Sequence, residues 1–117
     1  MSKISLPYKI KNVFEGFAEA QGILTYDGQI LNLEFQTKDA FIGAIQSEIK
    51  SISIPKSEIE EIDFKEHMFG CSLFIRVTRM QSVEGIPKQE AGEIKLSIAR
   101  KNIDLALELM SLINLKS

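Results

Sequence analysis

The stretch GEIKLSIARKNIDLALELMSLINL, residues 92–115, decides how this chain is read. It opens in alternation, with Ile94, Leu96 and Ile98 set against Glu93, Lys95 and Ser97. A period of two puts successive side chains on opposite faces, so residues 92–99 are expected as a strand with one buried face. The pattern then becomes helical over residues 102–115. Asn102 suits an N-cap, because its side chain can accept an orphan backbone N–H. Asp104 in the first turn suits the positive end of the helix dipole. Asp104, Glu108 and Ser111 form a narrow polar strip on this helix. The apolar residues Ile103, Leu105, Ala106, Leu107, Leu109, Met110, Leu112 and Ile113 fill an arc of about 220°, where a surface helix needs little more than about 100°. One sheet does not cover both flanks of such a helix. The excess is expected to lie against the N-terminal segment, the 40–45 segment or a second subunit.

Working outward, the rest of the chain reads as further short strands. Over residues 17–26, Ala18, Ala20, Gly22, Leu24 and Tyr26 share a face, and the small residues mark a close approach to another element. Tyr26-Asp27-Gly28-Gln29 follows as a type I′ hairpin with positive φ at both central residues. In residues 30–36, Leu31, Leu33 and Phe35 point inward. Lys38-Asp39 opens a loop, and the apolar residues 40–45 form a short strand, a helical turn or an exposed hydrophobic loop. Residues 49–54 are a strand with Ile52 and Ile54 inward, ended by Pro55, which has no N–H to give a ladder. After a single turn over residues 56–60, Ile62 and Phe64 alternate with Glu61, Asp63 and Lys65. Residues 67–70 are a loop, and Leu73, Ile75 and Val77 line one face of a strand over residues 72–79. Residues 80–91 carry Gly85 and Pro87 among polar residues and read as a mobile surface loop. Residues 1–16 hold Lys3, Lys9 and Lys11 among scattered apolar positions and are expected as a loose arm with a short helical turn. The domain proper is then residues 17–117.

The chain has 117 residues, enough for one domain with its own core. Fourteen basic and 16 acidic side chains leave a formal charge of -2, so nucleic acid is not expected as a partner and no general attraction to an anionic membrane follows. The single cysteine, Cys71, excludes an intramolecular disulfide and fits a reducing compartment. Residues 1–7 lack the apolar run of a secretory signal, and no segment approaches the ~20 apolar residues of a membrane span. The cytoplasm is the expected location.

Motifs for chemistry are sparse. The seven glycines are scattered and form no phosphate loop. His67 is the sole histidine. It would serve as a general base only with Cys71 or a serine as nucleophile. One His and one Cys fall short of the three or four ligands zinc wants. The carboxylates Glu58, Glu60, Glu61, Asp63 and Glu66 read as a solvated turn and strand face rather than a paired-acid site. Arg76 and Lys95 face outward and are expected to pair with acids such as Glu93. Cys71 reads as a small buried residue, since no basic neighbour lowers its pKa. No catalytic residue, cofactor or metal ligand is expected.

The strand series, its Ile-Pro segment and the closing helix resemble the pleckstrin-homology superfold, in particular its bacterial PH-like group, with some likeness to GRAM domains. The likeness is carried by Gly22-Ile23-Leu24-Thr25, by Ile54-Pro55-Lys56-Ser57-Glu58-Ile59, by Ser72-Leu73-Phe74-Ile75, by Gly92-Glu93-Ile94-Lys95-Leu96-Ser97-Ile98 and by the helix around Ala106-Leu107. It covers about residues 17 to 115. It implies a mainly β fold: a PH-like barrel of two near-orthogonal antiparallel sheets, six or seven strands in all, closed by one C-terminal helix. Two features depart from the family. The closing helix has no tryptophan. The first hairpin offers Glu15, Glu19, Asp27 and Glu34 with no basic residue between Lys11 and Lys38, so phosphoinositide binding is not carried over.

The expectation for function is a non-catalytic PH-like module that works by protein–protein contact, with self-association through Phe41, Ile42, Ile45, Leu105, Leu109 and Leu112. The alternative is a lipid or small-ligand module that uses the apolar 40–45 loop. Membrane contact is not expected.

Overall fold

Alternation organises most of the chain into strands. A computed structural model describes residues 3–13, 18–39, 48–87 and 90–114. Its elements are β1 (Ile4–Val13), β2 (Ala18–Tyr26), β3 (Ile30–Asp39), β4 (Lys50–Pro55), β5 (Ile59–His67), β6 (Gly70–Val77), β7 (Glu93–Ala99) and α1 (Ile103–Asn114). The seven strands form one sheet in the order β4-β3-β2-β1-β7-β6-β5. Every pairing is antiparallel. Two meanders, β1–β4 and β5–β7, therefore meet along β1 and β7. That seam is thin, with Lys9 opposite Ser97 its one register pair among the described residues. The sheet keeps two free edges, β4 and β5, and is not a closed barrel.

The core lies on one face of the sheet. Leu6, Leu24, Leu31 and Leu33 from the first meander meet Ile62, Leu73, Ile75, Ile94 and Leu96 from the second, all fully buried. Helix α1 adds Ala106, Leu109 and Ile113. It packs on β5, β1, β6 and β7, so one helix spans the seam and ties both meanders together. Burial of a leucine such as Leu109 is worth about 2 kcal/mol of transfer free energy. Only part of the apolar arc is used this way: Ala106, Leu109 and Ile113 are buried, while Leu105, Leu107 and Leu112 stay exposed.

Residues 4–13 are a central strand, not the loose arm expected for residues 1–16. Ile4, Leu6, Tyr8 and Ile10 are buried while Lys3, Ser5, Pro7, Lys9 and Lys11 are exposed. That is the same alternation seen elsewhere, obscured by Pro7. The proline is tolerated because it lies beyond Lys9, the one position among the described residues where β1 pairs with β7. Gly22 shows why β2 begins with small residues. A Cβ there would stand 1.7 Å from the Glu34 carbonyl oxygen. Tyr8 lies opposite Gly22, and its hydroxyl donates to that carbonyl at 2.9 Å, linking β1 to β3 across β2. Burial and the nearby Glu34 charge push the Tyr8 phenol far above its ordinary value.

Other expectations need correction. The β2–β3 turn has positive φ at Gly28 alone and is not type I′. The Asp27 carboxylate accepts the N–H groups of Gln29 and Ile30, each at 2.9 Å, which substitutes for the second left-handed residue. The same two bonds lower the Asp27 pKa. β3 runs on to Asp39, paired with Ala18, where a loop was expected from Lys38. In the 80–91 segment, Met80–Val83 is a 3-10 turn, and Val83 and Ile86 are buried at 0% and 4% exposure. It is an anchored connection packed on β4, β6 and β7. Arg100–Asn102 forms a 3-10 turn that leads into α1, which begins at Ile103. The expected turn at residues 56–60 is a 3-10 turn, Lys56–Glu58.

Candidate functional site: a lysine-lined furrow at the β1–β7 seam

The thin seam opens a furrow of about 560 Å³ on the outer face of the sheet. Pro7, Lys9 and Ile23 lie on one side of it, and Phe69, Ala99 and Lys101 on the other. Close packing of β6 on β7 sets the far wall. A Cβ on Gly70 would stand 2.2 Å from the Ile98 carbonyl oxygen, so only glycine lets β6 start there. The β5–β6 turn, Met68-Phe69, consequently sits over the end of β7. Arg100 donates a hydrogen bond to the Met68 carbonyl and pins that turn. Phe69 is 84% exposed and Met68 76%, the two most exposed large apolar side chains among the described residues.

The furrow is electrostatically one-sided. Lys9, Lys11 and Lys101 line it, and no carboxylate does among the described residues. Lys9 lies 3.7 Å from Glu19, but Glu19 sits closer to Lys38, at 3.3 Å. Lys38 thus shares that carboxylate and leaves Lys9, with half its side chain exposed, open to a further anion.

Further along the outer face the charge reverses. Arg76 on β6 is ringed by Glu60, Glu61, Asp63 and Glu93. A register shift between Ile59 and Glu61 on β5 inserts an extra residue, which brings both glutamates to the one arginine. The Glu61 charge, its hydrogen bond and the neighbouring acids raise the Arg76 pKa. The expected Arg76–Glu93 pairing is present at 3.7 Å. Lys95 instead lies 5.9 Å from the centroid of the Phe74 ring. Glu58 accepts a hydrogen bond from the Ser82 hydroxyl and tethers the 3-10 turn at Met80–Val83.

His67 Nε2 and Ser72 Oγ are brought to 2.8 Å, the base–nucleophile spacing of an acyl-transfer site. Ser72 is 2% exposed, so its hydroxyl is buried beside the imidazole. Cys71 points to the opposite face and is buried in the core, as expected. Burial, with the Glu66 charge behind it, raises its thiol pKa and keeps it protonated. No group of three or more His, Cys, Asp or Glu side chains could hold a metal ion among the described residues. No helix among them is long and apolar enough to cross a membrane.

Of the six apolar positions singled out from the sequence, Phe41, Ile42 and Ile45 lie outside the described residues. Leu105 and Leu112 remain exposed at 36% and 39%, on one flank of α1. Leu109 does not belong with them, because it is fully buried against the sheet. Three and four residues from these neighbours, it falls on the inward side of the same stripe. Met68, Phe69 and Ile23 were missed. One signal was available: Met68-Phe69 occupies a hairpin turn where Gly, Asn or Asp usually stand. The lysines were legible only as a scatter, since residues 9, 11 and 101 meet through the β1–β7 seam. Comparison with protein-family models, with curated proteins and with solved structures finds no match to this chain.

Proposed function

We propose that this chain is a non-catalytic, pleckstrin-homology-like interaction module that works by protein–protein contact, including self-association. The strand order supports the PH-like part of the reading. Meanders β1–β4 and β5–β7 joined by one register pair among the described residues are what two packed sheets would give, with α1 closing the space between them. The observation that carries the functional part is the apolar surface left on the folded chain. Leu105 and Leu112 stay more than a third exposed on α1, and Met68 and Phe69 are held outward on a pinned turn. Rigid exposed apolar groups lose little entropy on binding, so they favour contact with another protein surface.

Size-exclusion chromatography with light scattering over a rising concentration series tests self-association. The expected result is an oligomer that reverts to monomer in a Leu105→Glu, Leu112→Glu double variant of unchanged circular dichroism. A chain that stays monomeric throughout the series refutes the self-association.

A further inference from the structure

We propose that the furrow at the β1–β7 seam binds a short acidic peptide segment in extended conformation. The inference rests on the reading of the chain as a protein-contact module and names the partner chemistry of one surface. Three observations converge on it. First, the furrow carries three lysines and no carboxylate among the described residues; Glu19 pairs with Lys9, and Glu90 and Glu93 lie beyond Lys11 in the adjoining hollow, so the positive field is confined to the furrow itself and favours a small acidic group there. Second, among the described residues the strands that form it share the one register pair Lys9–Ser97, so the ladder described there does not continue along the adjoining backbone. An extended segment laid beside that backbone can add main-chain hydrogen bonds, the mode by which sheet edges capture peptides. Third, Phe69 at 84% and Ile23 at 47% exposure offer an apolar anchor point at the furrow's rim.

The surroundings decide the class of anion. The acidic ring around Arg76 lies on the same outer face, because Glu93 and Ser97 share a side of β7. Four carboxylates there repel a nucleic acid or an anionic bilayer that extends beyond the furrow. A short segment fits between. The site is also concave, whereas a flat bilayer meets protruding groups.

The test is selection from a degenerate decapeptide library on the folded full chain, with acidic, neutral and basic pools, followed by fluorescence-anisotropy titration of the selected peptides. The expected result is enrichment of acidic peptides that hold one aromatic or aliphatic residue. Binding should weaken about tenfold in a Lys9→Glu, Lys101→Glu variant and with added salt. A Phe69→Ser variant of unchanged circular dichroism, which alters only an exposed turn, should also weaken it. No preference for the acidic pool, or a preference unchanged in these variants, overturns the proposal. So does stronger retention on phosphatidylcholine–phosphatidylglycerol vesicles than on any peptide. A chain that self-associates through α1 but ignores acidic peptides loses this inference alone and leaves the wider reading standing.

Discussion

The docking of α1 onto the edge of the sheet turns on one side chain. Asn114, the last residue of α1, donates from Nδ2 to the Ile62 carbonyl at 2.8 Å and accepts the Ile62 N–H at Oδ1 at 3.0 Å. Ile62 lies in the middle of β5, a free edge of the sheet, and its side chain is 1% exposed. The amide of Asn114 therefore stands in for the missing neighbour strand and blunts an edge that would otherwise recruit another chain. Asn114→Ala removes both partners. Each such bond contributes about 0.5–1.5 kcal/mol net. Asn114 is itself exposed, so water regains part of the loss, and alanine is the better helix former by a few tenths of a kcal/mol. A destabilisation of about 1–2 kcal/mol is expected. Asn114→Asp is the sharper test. At neutral pH its second oxygen faces the Ile62 carbonyl, and a negative charge sits at the negative end of α1, so it should be less stable than the alanine variant. Protonation restores a donor towards that carbonyl. The folded-state pKa of the introduced carboxyl is then raised, the native state binds the extra proton, and stability returns as pH falls towards 4. Urea denaturation followed by far-ultraviolet circular dichroism suits a chain without tryptophan. Amide exchange at Ile62 reads the same contact locally. Wild-type stability in both variants, with Ile62 exchange unchanged, would refute this account of how the helix is held.

Three other outcomes follow from the packing. Gly22→Ala places a methyl 1.7 Å from a backbone oxygen that cannot rotate away, so a loss of about 3 kcal/mol or more is expected in thermal or urea melts. Leu109→Ala should cost about 2–5 kcal/mol, while Leu105→Ala, at 36% exposure, should cost under ~1 kcal/mol; equal losses would show that α1 is rotated from the orientation described. Tyr8 should govern the alkaline limb of stability. Its phenol stays protonated in the folded chain but titrates near 10 when unfolded, so the unfolded state binds fewer protons above that pH and stability falls as pH rises. In Tyr8→Phe the limb should flatten, with about 1 kcal/mol lost at neutral pH from the bond to Glu34.

Much of the strand framework could be read residue by residue. β3, β6 and β7 keep a period of two on their inward face, and their inward residues Leu31, Leu33, Phe35, Leu73, Ile75, Val77, Ile94, Leu96 and Ile98 are all buried. β1 has the same alternation, yet Pro7 and three lysines made it look like an arm. A proline is allowed there only because the neighbouring strand has already diverged, which local pattern cannot show. Val83 and Ile86 were hidden likewise: two apolar residues among polar ones carry no period, and their burial depends on β4 passing beneath them. Asn114 had no signal at all, since its partner stands 52 positions earlier. The furrow belongs to the same class, because Lys9, Lys11, Phe69 and Lys101 gather from three separate strands and turns.

Side-chain periodicity by itself determined that this chain is mostly strands with one apolar closing helix, because alternation and helical stripes are local consequences of backbone geometry. Tertiary structure alone decided that the first strand is central, that the two meanders meet at one register pair among the described residues, and that lysines and apolar side chains gather along that gap. The physical reason is range: backbone periodicity acts within a few residues, whereas a seam exists only once strands far apart in the chain have chosen their neighbours.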